Sequence, residues 1–194
     1  MPAGSYYLSV TDASGCTVLL PVFNVIETQT EALAVSLNNN QSLLSLSCFG
    51  DVNGQIATNV TGGTPFAGPH YEYTLNGVLQ SQWTGVFSGL DAGTYDLVVN
   101  DNNNCVDNIT IVITEPDQLE TTLSQVPVNC FGGSDAIVTA NVVGGVSDYA
   151  FDWSEGTQEF SSGISIISNL TANTYSLVVS DNNGCVDTAS IVVT

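Results

Sequence analysis

The chain repeats itself, and a self-similar chain is restricted to folds in which one small unit is copied and joined to the next. Cys48-Phe49-Gly50 returns as Cys130-Phe131-Gly132, and Gly62-Gly63 as Gly144-Gly145, a step of roughly 80 residues. Leu90-Asp91-Ala92-Gly93-Thr94-Tyr95 returns as Leu170-Thr171-Ala172-Asn173-Thr174-Tyr175. Asp101-Asn102-Asn103-Asn104-Cys105-Val106-Asp107 returns as Asp181-Asn182-Asn183-Gly184-Cys185-Val186-Asp187. A partial copy opens the chain with Ala3-Gly4-Ser5-Tyr6 and Asp12-Ala13-Ser14-Gly15-Cys16. The expected organisation is the C-terminal part of one repeat over 1–28, a whole repeat over 37–115 and a second over 119–194. A copy that begins mid-repeat marks the chain as a piece of a longer protein. Its opening hairpin then lacks most of the domain it packs against, unless a neighbouring chain adds the strands.

Each repeat reads as antiparallel β-structure. Tyr95, Leu97 and Val99 alternate onto one face, as do Tyr175, Leu177 and Val179, and Tyr6, Leu8 and Val10. Ile109, Ile111 and Ile113 continue the core after an Asn-rich turn, matched by Ala189, Ile191 and Val193. Asn and Gly tolerate the positive φ that tight hairpins require. Ile56, Thr58 and Val60 form an earlier strand, echoed by Val138, Ala140 and Val142. No segment sustains a helical period. Several short strands per repeat predict an all-β chain of tandem immunoglobulin-like β-sandwich repeats. Leu90-x-x-Gly93-x-Tyr95 has the pattern of a tyrosine corner, and Trp153 in Tyr149-x-Phe151-x-Trp153 is the expected core aromatic of a central strand. Its counterpart is Tyr71-x-Tyr73-x-Leu75, and Thr114-Glu115-Pro116-Asp117 is a short, Pro-stiffened linker.

Charge then removes whole classes of function. The chain has no Lys or Arg, 19 Asp plus Glu, one His and a net charge of −19. Phosphate contacts are made mainly by Lys and Arg, so nucleic acid is excluded as a partner. With a single His, most acid–base and nucleophilic site designs lose their usual base, and no catalytic residue is assigned. Hydrophobic residues make up 43% of the chain, enough for a packed core, and no run approaches the length of a membrane span. The first residues carry neither the positive nor the apolar segment of a signal peptide.

Five cysteines in a β-protein without catalytic groups suggest an oxidising compartment. Within-repeat pairing, Cys48–Cys105 and Cys130–Cys185, is favoured because the two separations nearly match, and it leaves Cys16 without its partner. Pairing across repeats, Cys16–Cys48 and Cys105–Cys130, is the alternative. No close Cys pair suits zinc. Asp51, Asn53, Asp101 and Asp181 offer hard oxygen ligands to Ca²⁺, although Asp and Asn also belong in tight turns for backbone reasons, and Gly133 stands in place of Asp51 in the second copy. No other cofactor is expected. His70 reads as an ordinary loop residue. Trp83 and Phe87 are candidates for an aromatic platform that stacks on sugar, although core or loop packing is favoured because the aligned region Gly156–Ile167 has Phe160 but no Trp.

The ordered motifs resemble the SprB-type repeat of giant gliding-motility and cell-surface adhesins of Bacteroidota. The matching residues are Cys48-Phe49-Gly50, Gly62-Gly63-Thr64-Pro65, Tyr71 to Leu75, Leu90 to Tyr95, Asp101 to Cys105 and Pro116, with the second copy running from Cys130 to Cys185. Leu75 replaces the family's Trp, the loop Thr64–His70 is long, and Val146-Ser147-Asp148 lacks the Pro. The resemblance implies a very long surface protein on the outside of a bacterial cell, exported by a type IX system. Its stacked domains would space an adhesive region from the cell, in some members for gliding. The partners it implies are neighbouring repeats of the same chain, like chains in a filament, or surface polysaccharide. A glycan-binding sandwich of a secreted protein is the alternative. Asp187-Thr188-Ala189 is similar to the short O-glycosylation motif of that phylum, which makes Thr188 a modification candidate.

Overall fold

The computed structural model describes residues 4–26, 31–68 and 70–194, so the expected boundary at 28 lies outside the described residues. Every regular element among them is a β-strand, as the alternation requires. The chain divides into two compact units. One takes residues up to Leu37 with Thr58–Gly85 and Asp96–Ile109; the other takes Asn38–Ala57, Val86–Tyr95 and Thr110–Thr194.

The opening partial copy contributes β1 (Gly4–Tyr6), β2 (Ser9–Thr11), β3 (Thr17–Leu19) and β4 (Phe23–Val25). β1 pairs with β4 and β2 with β3, both antiparallel, and the rings of Tyr6 and Phe23 stack at 5.9 Å. Leu8 and Val10 are 48% and 58% exposed, whereas Leu97 and Val99, their counterparts in the next copy, are fully buried. The first whole repeat contains β5 (Ala34–Leu37), β6 (Gly54–Thr61), β7 (Glu72–Leu75), β8 (Val78–Leu79), β9 (Val86–Leu90), β10 (Gly93–Asn100) and β11 (Val106–Ile113). Its sheets have the orders β5-β6-β9 and β11-β10-β7-β8.

The second whole repeat lies entirely in the second unit. Its strands are β12 (Glu120–Val126), β13 (Ala136–Val143), β14 (Tyr149–Trp153), β15 (Gln158–Ser161), β16 (Ile164–Leu170), β17 (Asn173–Ser180) and β18 (Val186–Val193). They form a three-stranded sheet, β12-β13-β16, and a four-stranded sheet, β15-β14-β17-β18. Val138, Ala140 and Val142 of one sheet and Phe151, Trp153, Leu177 and Val179 of the other belong to one buried cluster, which makes the repeat an immunoglobulin-like sandwich. Trp153 is the central core aromatic, as the sequence indicates. Its Nε1–H donates to the buried Ser165 Oγ at 2.9 Å, and Ser165 donates in turn to Glu159 at 2.9 Å. The indole is thus buried without leaving its one donor unpaired.

The tyrosine corner is present in both repeats. Tyr95 donates to the Asp91 carbonyl at 3.0 Å and to the Asp91 carboxylate at 2.6 Å; Tyr175 donates to the Thr171 carbonyl at 3.0 Å.

The disulfide differs from both expected arrangements. Cys48 is bonded to Cys185, with Cα atoms 5.6 Å apart and a sequence separation of 137. Cys48–Cys105 and Cys130–Cys185 are therefore both excluded. Strand direction supplies the reason. Thr121 N–H donates to Asp187 Oδ2 at 2.7 Å and Gln125 Nε2 to the Val192 carbonyl at 2.9 Å, so β12 and β18 run parallel. Cys130 follows β12 while Cys185 precedes β18. The two lie at opposite ends of a strand pair about 25 Å long, far beyond the roughly 7 Å over which Cα atoms can be bridged.

Candidate functional site

The turn from Asp to Cys is built the same way in all three copies. In the last, Asp181 N–H donates to the Cys185 carbonyl at 3.0 Å, and Asp181 Oδ1 accepts from Asn183 N–H and Cys185 N–H, each at 2.9 Å. Asp101 Oδ1 accepts from Asn103 and Cys105 at 2.9 and 2.8 Å, and Asp12 Oδ1 from Ser14 and Cys16 at 2.9 Å each. The residue before the cysteine adopts positive φ in each, 87° at Gly15, 61° at Asn104 and 84° at Gly184, which explains why only Gly or Asn stands there.

The carboxylates also reach the double-glycine loop. Asp101 Oδ2 accepts from Thr64 N–H and Asp181 Oδ2 from Val146 N–H, both at 2.8 Å. Gly144 and Gly145 make this approach possible. A Cβ on Gly144 would collide with the Gln118 carbonyl, and one on Gly145 would stand 2.8 Å from Asp181 Oδ2. Burial pushes the Asp101 carboxyl upward, but N–H donation from Thr64, Cys105 and Asn103 outweighs it, and its pKa lies below the ordinary value. The nearby Cys105 thiol is pushed up, by burial first and then by the Asp101 charge.

Of the Ca²⁺ candidates, Asp101 and Asp181 are buried and face N–H donors, which assigns their oxygens to the turn. Asp51 Oδ2 accepts from Cys48 N–H at 3.1 Å, and Asn53 is exposed. Among the described residues, no three His, Cys, Asp or Glu side chains are grouped to hold a metal.

The Cys-Phe-Gly loop is a second preformed piece. Gly50 and Gly132 have φ of 76° and 77°, and the N–H three residues on folds back to the cysteine carbonyl, from Asp51 at 3.3 Å and Gly133 at 2.8 Å. The Cys48–Cys185 bond joins this loop of one repeat to the Asp-to-Cys turn of the next. Asn183 Nδ2 adds a bond to the Ser47 carbonyl at 2.9 Å. The linker is held beside it: Thr114 N–H donates to the Leu44 carbonyl at 2.9 Å, Gly50 N–H to Glu115 Oε2 at 2.6 Å, and Gly145 N–H to the Asp117 carbonyl at 2.8 Å. A concavity of about 460 Å³, lined by Phe49, Leu119 and Val186 among others, flanks the bond. This joint is covalent, hydrogen-bonded and partly apolar, and it restricts how two successive repeats can turn about Pro116.

The two platform candidates separate, one to the core and one to the surface. Phe87 is 2% exposed, because it takes the inward position on β9 opposite Ile56. Trp83 is 47% exposed, with the His70 ring 5.8 Å away, and it borders a concavity of about 670 Å³ with Thr58, Asn59, Thr61 and Tyr71. Thr188 is exposed on β18.

Two contributions escaped the sequence reading. Asp107 Oδ2 accepts from Val35 N–H and Asp187 Oδ2 from Thr121 N–H, both at 2.7 Å, each fixing the first strand of a repeat to its last. Tyr71 and Tyr149 donate to the Gly62 and Gly144 carbonyls at 2.8 and 2.6 Å. The signal for the first was the recurrence of Cys-Val-Asp; the second had no such signal, because Tyr follows the first glycine by nine residues in one copy and by five in the other.

Fold and joint define a class: tandem immunoglobulin-like modules coupled through their ends. The family model of the SprB repeat matches the chain at two places, residues 43–80 and 122–158. No curated protein matches the chain in sequence. Among solved structures, titin domains I67–I69 share 13% identity over 99% of this chain and 74% of that one, at a TM-score of 0.45. A Dscam isoform structure shares 15% over 98% of this chain and 54% of that one, at a TM-score of 0.35. The fibronectin(III)-like modules of Clostridium thermocellum CbhA share 12% over 83% and 94%, at a TM-score of 0.30. No helix among the described residues is long and apolar enough to cross a membrane.

Proposed function

We propose that this chain is a structural stalk segment of a very long bacterial surface adhesin, in which repeats 1–28, 37–115 and 119–194 belong to a longer series spacing an adhesive region from the cell. The observation that carries this reading is the Cys48–Cys185 joint between two SprB repeats. A bond spanning a linker does nothing for a lone binding domain but resists separation and rotation of coupled ones. On this reading the protein is not an enzyme, works outside the cell in an oxidising setting, and leaves by type IX export. Gliding is one use of such a stalk. The absence of Lys and Arg removes every trypsin site, which suits an extracellular filament. Immunogold labelling of intact source cells with an antibody to this chain tests it. Label strung along thin surface filaments is expected; label confined to secreted material, with cells bare, overturns it.

A second reading, glycan binding, has one specific observation in its favour: the exposed Trp83 beside a concavity with Thr58, Asn59 and Thr61 hydroxyl and amide groups. Calorimetric titration with surface polysaccharide from the source cells discriminates. Binding lost on Trp83→Ala supports it, and no heat at millimolar saccharide removes it.

A further inference from the structure

Cys130 and Cys16 are exposed thiols, and each sits in one half of the structure that Cys48 and Cys185 complete together. Cys130 occupies the Cys-Phe-Gly loop, closed by the same backward hydrogen bond and positive-φ glycine as the loop of Cys48. Cys16 occupies the Asp-to-Cys turn, closed by the same Asp carboxylate contacts as the turn of Cys185. We propose that the Cys130 loop is a docking and disulfide site for the Asp-to-Cys turn of a further repeat, and that Cys16 is the matching site for a preceding Cys-Phe-Gly loop, so that every joint of the series is covalently stapled.

A separate observation points to the same occupant. Where the joint is formed, Phe49 is 53% exposed and borders the concavity beside the bond. At the other loop, Phe131 is fully exposed, and a concavity of about 500 Å³ opens beside it between Cys130, Thr171 and Thr194. A following repeat supplies what Leu119 and Val186 supply beside Phe49, and lowers the exposure of the ring toward the half-exposed state of Phe49. Loop and turn are each held by their own hydrogen bonds, so docking them orders little new chain. Bond formation is a thiol–disulfide exchange. The two thiols lose two protons and two electrons, and a disulfide oxidant such as oxidised glutathione is reduced to two thiols.

The site can be probed with this chain alone, because one molecule presents the loop and another the turn, a head-to-tail contact that extends without closing. The proposal rests on the repeat architecture and not on adhesion, so its failure and that of the stalk reading are distinguishable. The purified chain is incubated with a glutathione redox buffer at graded protein concentration. It is then alkylated, cut at acidic residues and mapped without reduction. The expected result is a ladder of oligomers that grows with concentration and contains a Cys16–Cys130 cross-link between molecules. Cys130→Ser abolishes the ladder. Phe131→Ala, which keeps the thiol, slows it about fivefold or more through lost apolar burial. Symmetric Cys130–Cys130 dimers, a Cys16–Cys130 bond within one molecule, or a Cys130 that stays reduced while Cys48–Cys185 is intact would each overturn the proposal. So would a Phe131→Ala chain that cross-links at the parent rate.

Discussion

Replacing Cys48 by Ser should destabilise a repeat to which Cys48 does not belong. The Cys48–Cys185 bond closes a loop of 137 residues, and loop-closure entropy for that length amounts to about 5 kcal/mol at 25 °C as an upper value. When only the second repeat unfolds, Glu115 remains tied to Gly50, and the freed loop shortens to about 70 residues. Closure entropy depends on loop length only logarithmically, so the bond still stabilises that repeat by about 4 kcal/mol. Trp153 is buried in the second repeat and Trp83 is half-exposed in the first. In a Trp83→Phe background, indole fluorescence therefore follows the second repeat alone. With a guanidinium m-value of about 3 kcal/mol/M, the midpoint of that transition should fall by about 1.5 M in Cys48→Ser. Cys185→Ser should fall equally, and the double variant no further. A Cys48→Ser chain whose Trp153 transition stays within about 0.3 M of the parent refutes the argument, because it would mean that the bond does not constrain the second repeat.

Tyr175→Phe removes one hydrogen bond to a neutral carbonyl and should cost about 1 kcal/mol in urea unfolding, whereas Tyr95→Phe also abandons a carboxylate and should cost about 2 kcal/mol. Gly144→Ala combines positive φ with a clash against the Gln118 backbone and should exceed the loss from either tyrosine, read by the same unfolding curves. The Asp91 carboxyl is held below its ordinary value by the Tyr95 hydroxyl, and Asp135 by Asn129; Asp101 is also lowered. Their stabilisation is present above the unfolded carboxylate value near 3.9 and should be lost as pH falls through the lower folded values, seen as a falling Tm below about pH 4. Burial, then the Asp91 hydrogen bond and charge, push Tyr95 up to about 12. Its contribution should therefore hold below pH 10 and disappear as pH rises through 12, followed by the 295 nm phenolate absorbance. If Ca²⁺ acts only by screening the acidic surface, Ca²⁺ and Mg²⁺ at equal concentration should raise Tm alike; a larger shift with Ca²⁺ alone would identify a specific site.

The fold was legible because its determinants are local. Alternation in Tyr175, Leu177 and Val179, the Asn-Gly turns and the Leu-x-x-x-x-Tyr corner each act over a few residues, and repetition confirms them twice. Trp153 was legible for the same reason. The cysteine pairing was not, because it depends on which end of the sandwich each loop occupies, and that is set by the parallel course of β12 and β18. Matching separations in sequence carry no information about strand direction, and two nearly equal spacings misled. Phe87 follows the packing alternative: counting back from Leu90 and Leu170 aligns it with Ile167, an inward residue. Asp101 and Asp181 carried two readings from sequence, cation ligand and turn former. Their residue type suits either, and the Thr64 and Val146 N–H groups decide that the turn and the double-glycine loop use the oxygens.

Placing the bond between repeats rather than inside one changes what it protects. A sandwich with 14 buried hydrophobic residues in its core already has an internal reason to stay folded, and a staple within it adds stability where stability exists. The joint has no comparable core. Phe49 stays half-exposed there, and beyond Thr114 the linker is held by single hydrogen bonds such as Gly50 to Glu115 and Gly145 to Asp117. Each of these is worth about 1 to 2 kcal/mol and exchanges readily with water. In a series of coupled modules the weakest element is therefore the connection, and a covalent bond there removes the failure that packing cannot. Carboxylates without compensating cations make the need greater, since like charges on successive repeats repel with nothing of opposite sign to draw them together. The Cys48–Cys185 bond thus stands where neither apolar residues nor charges can hold neighbouring repeats in place.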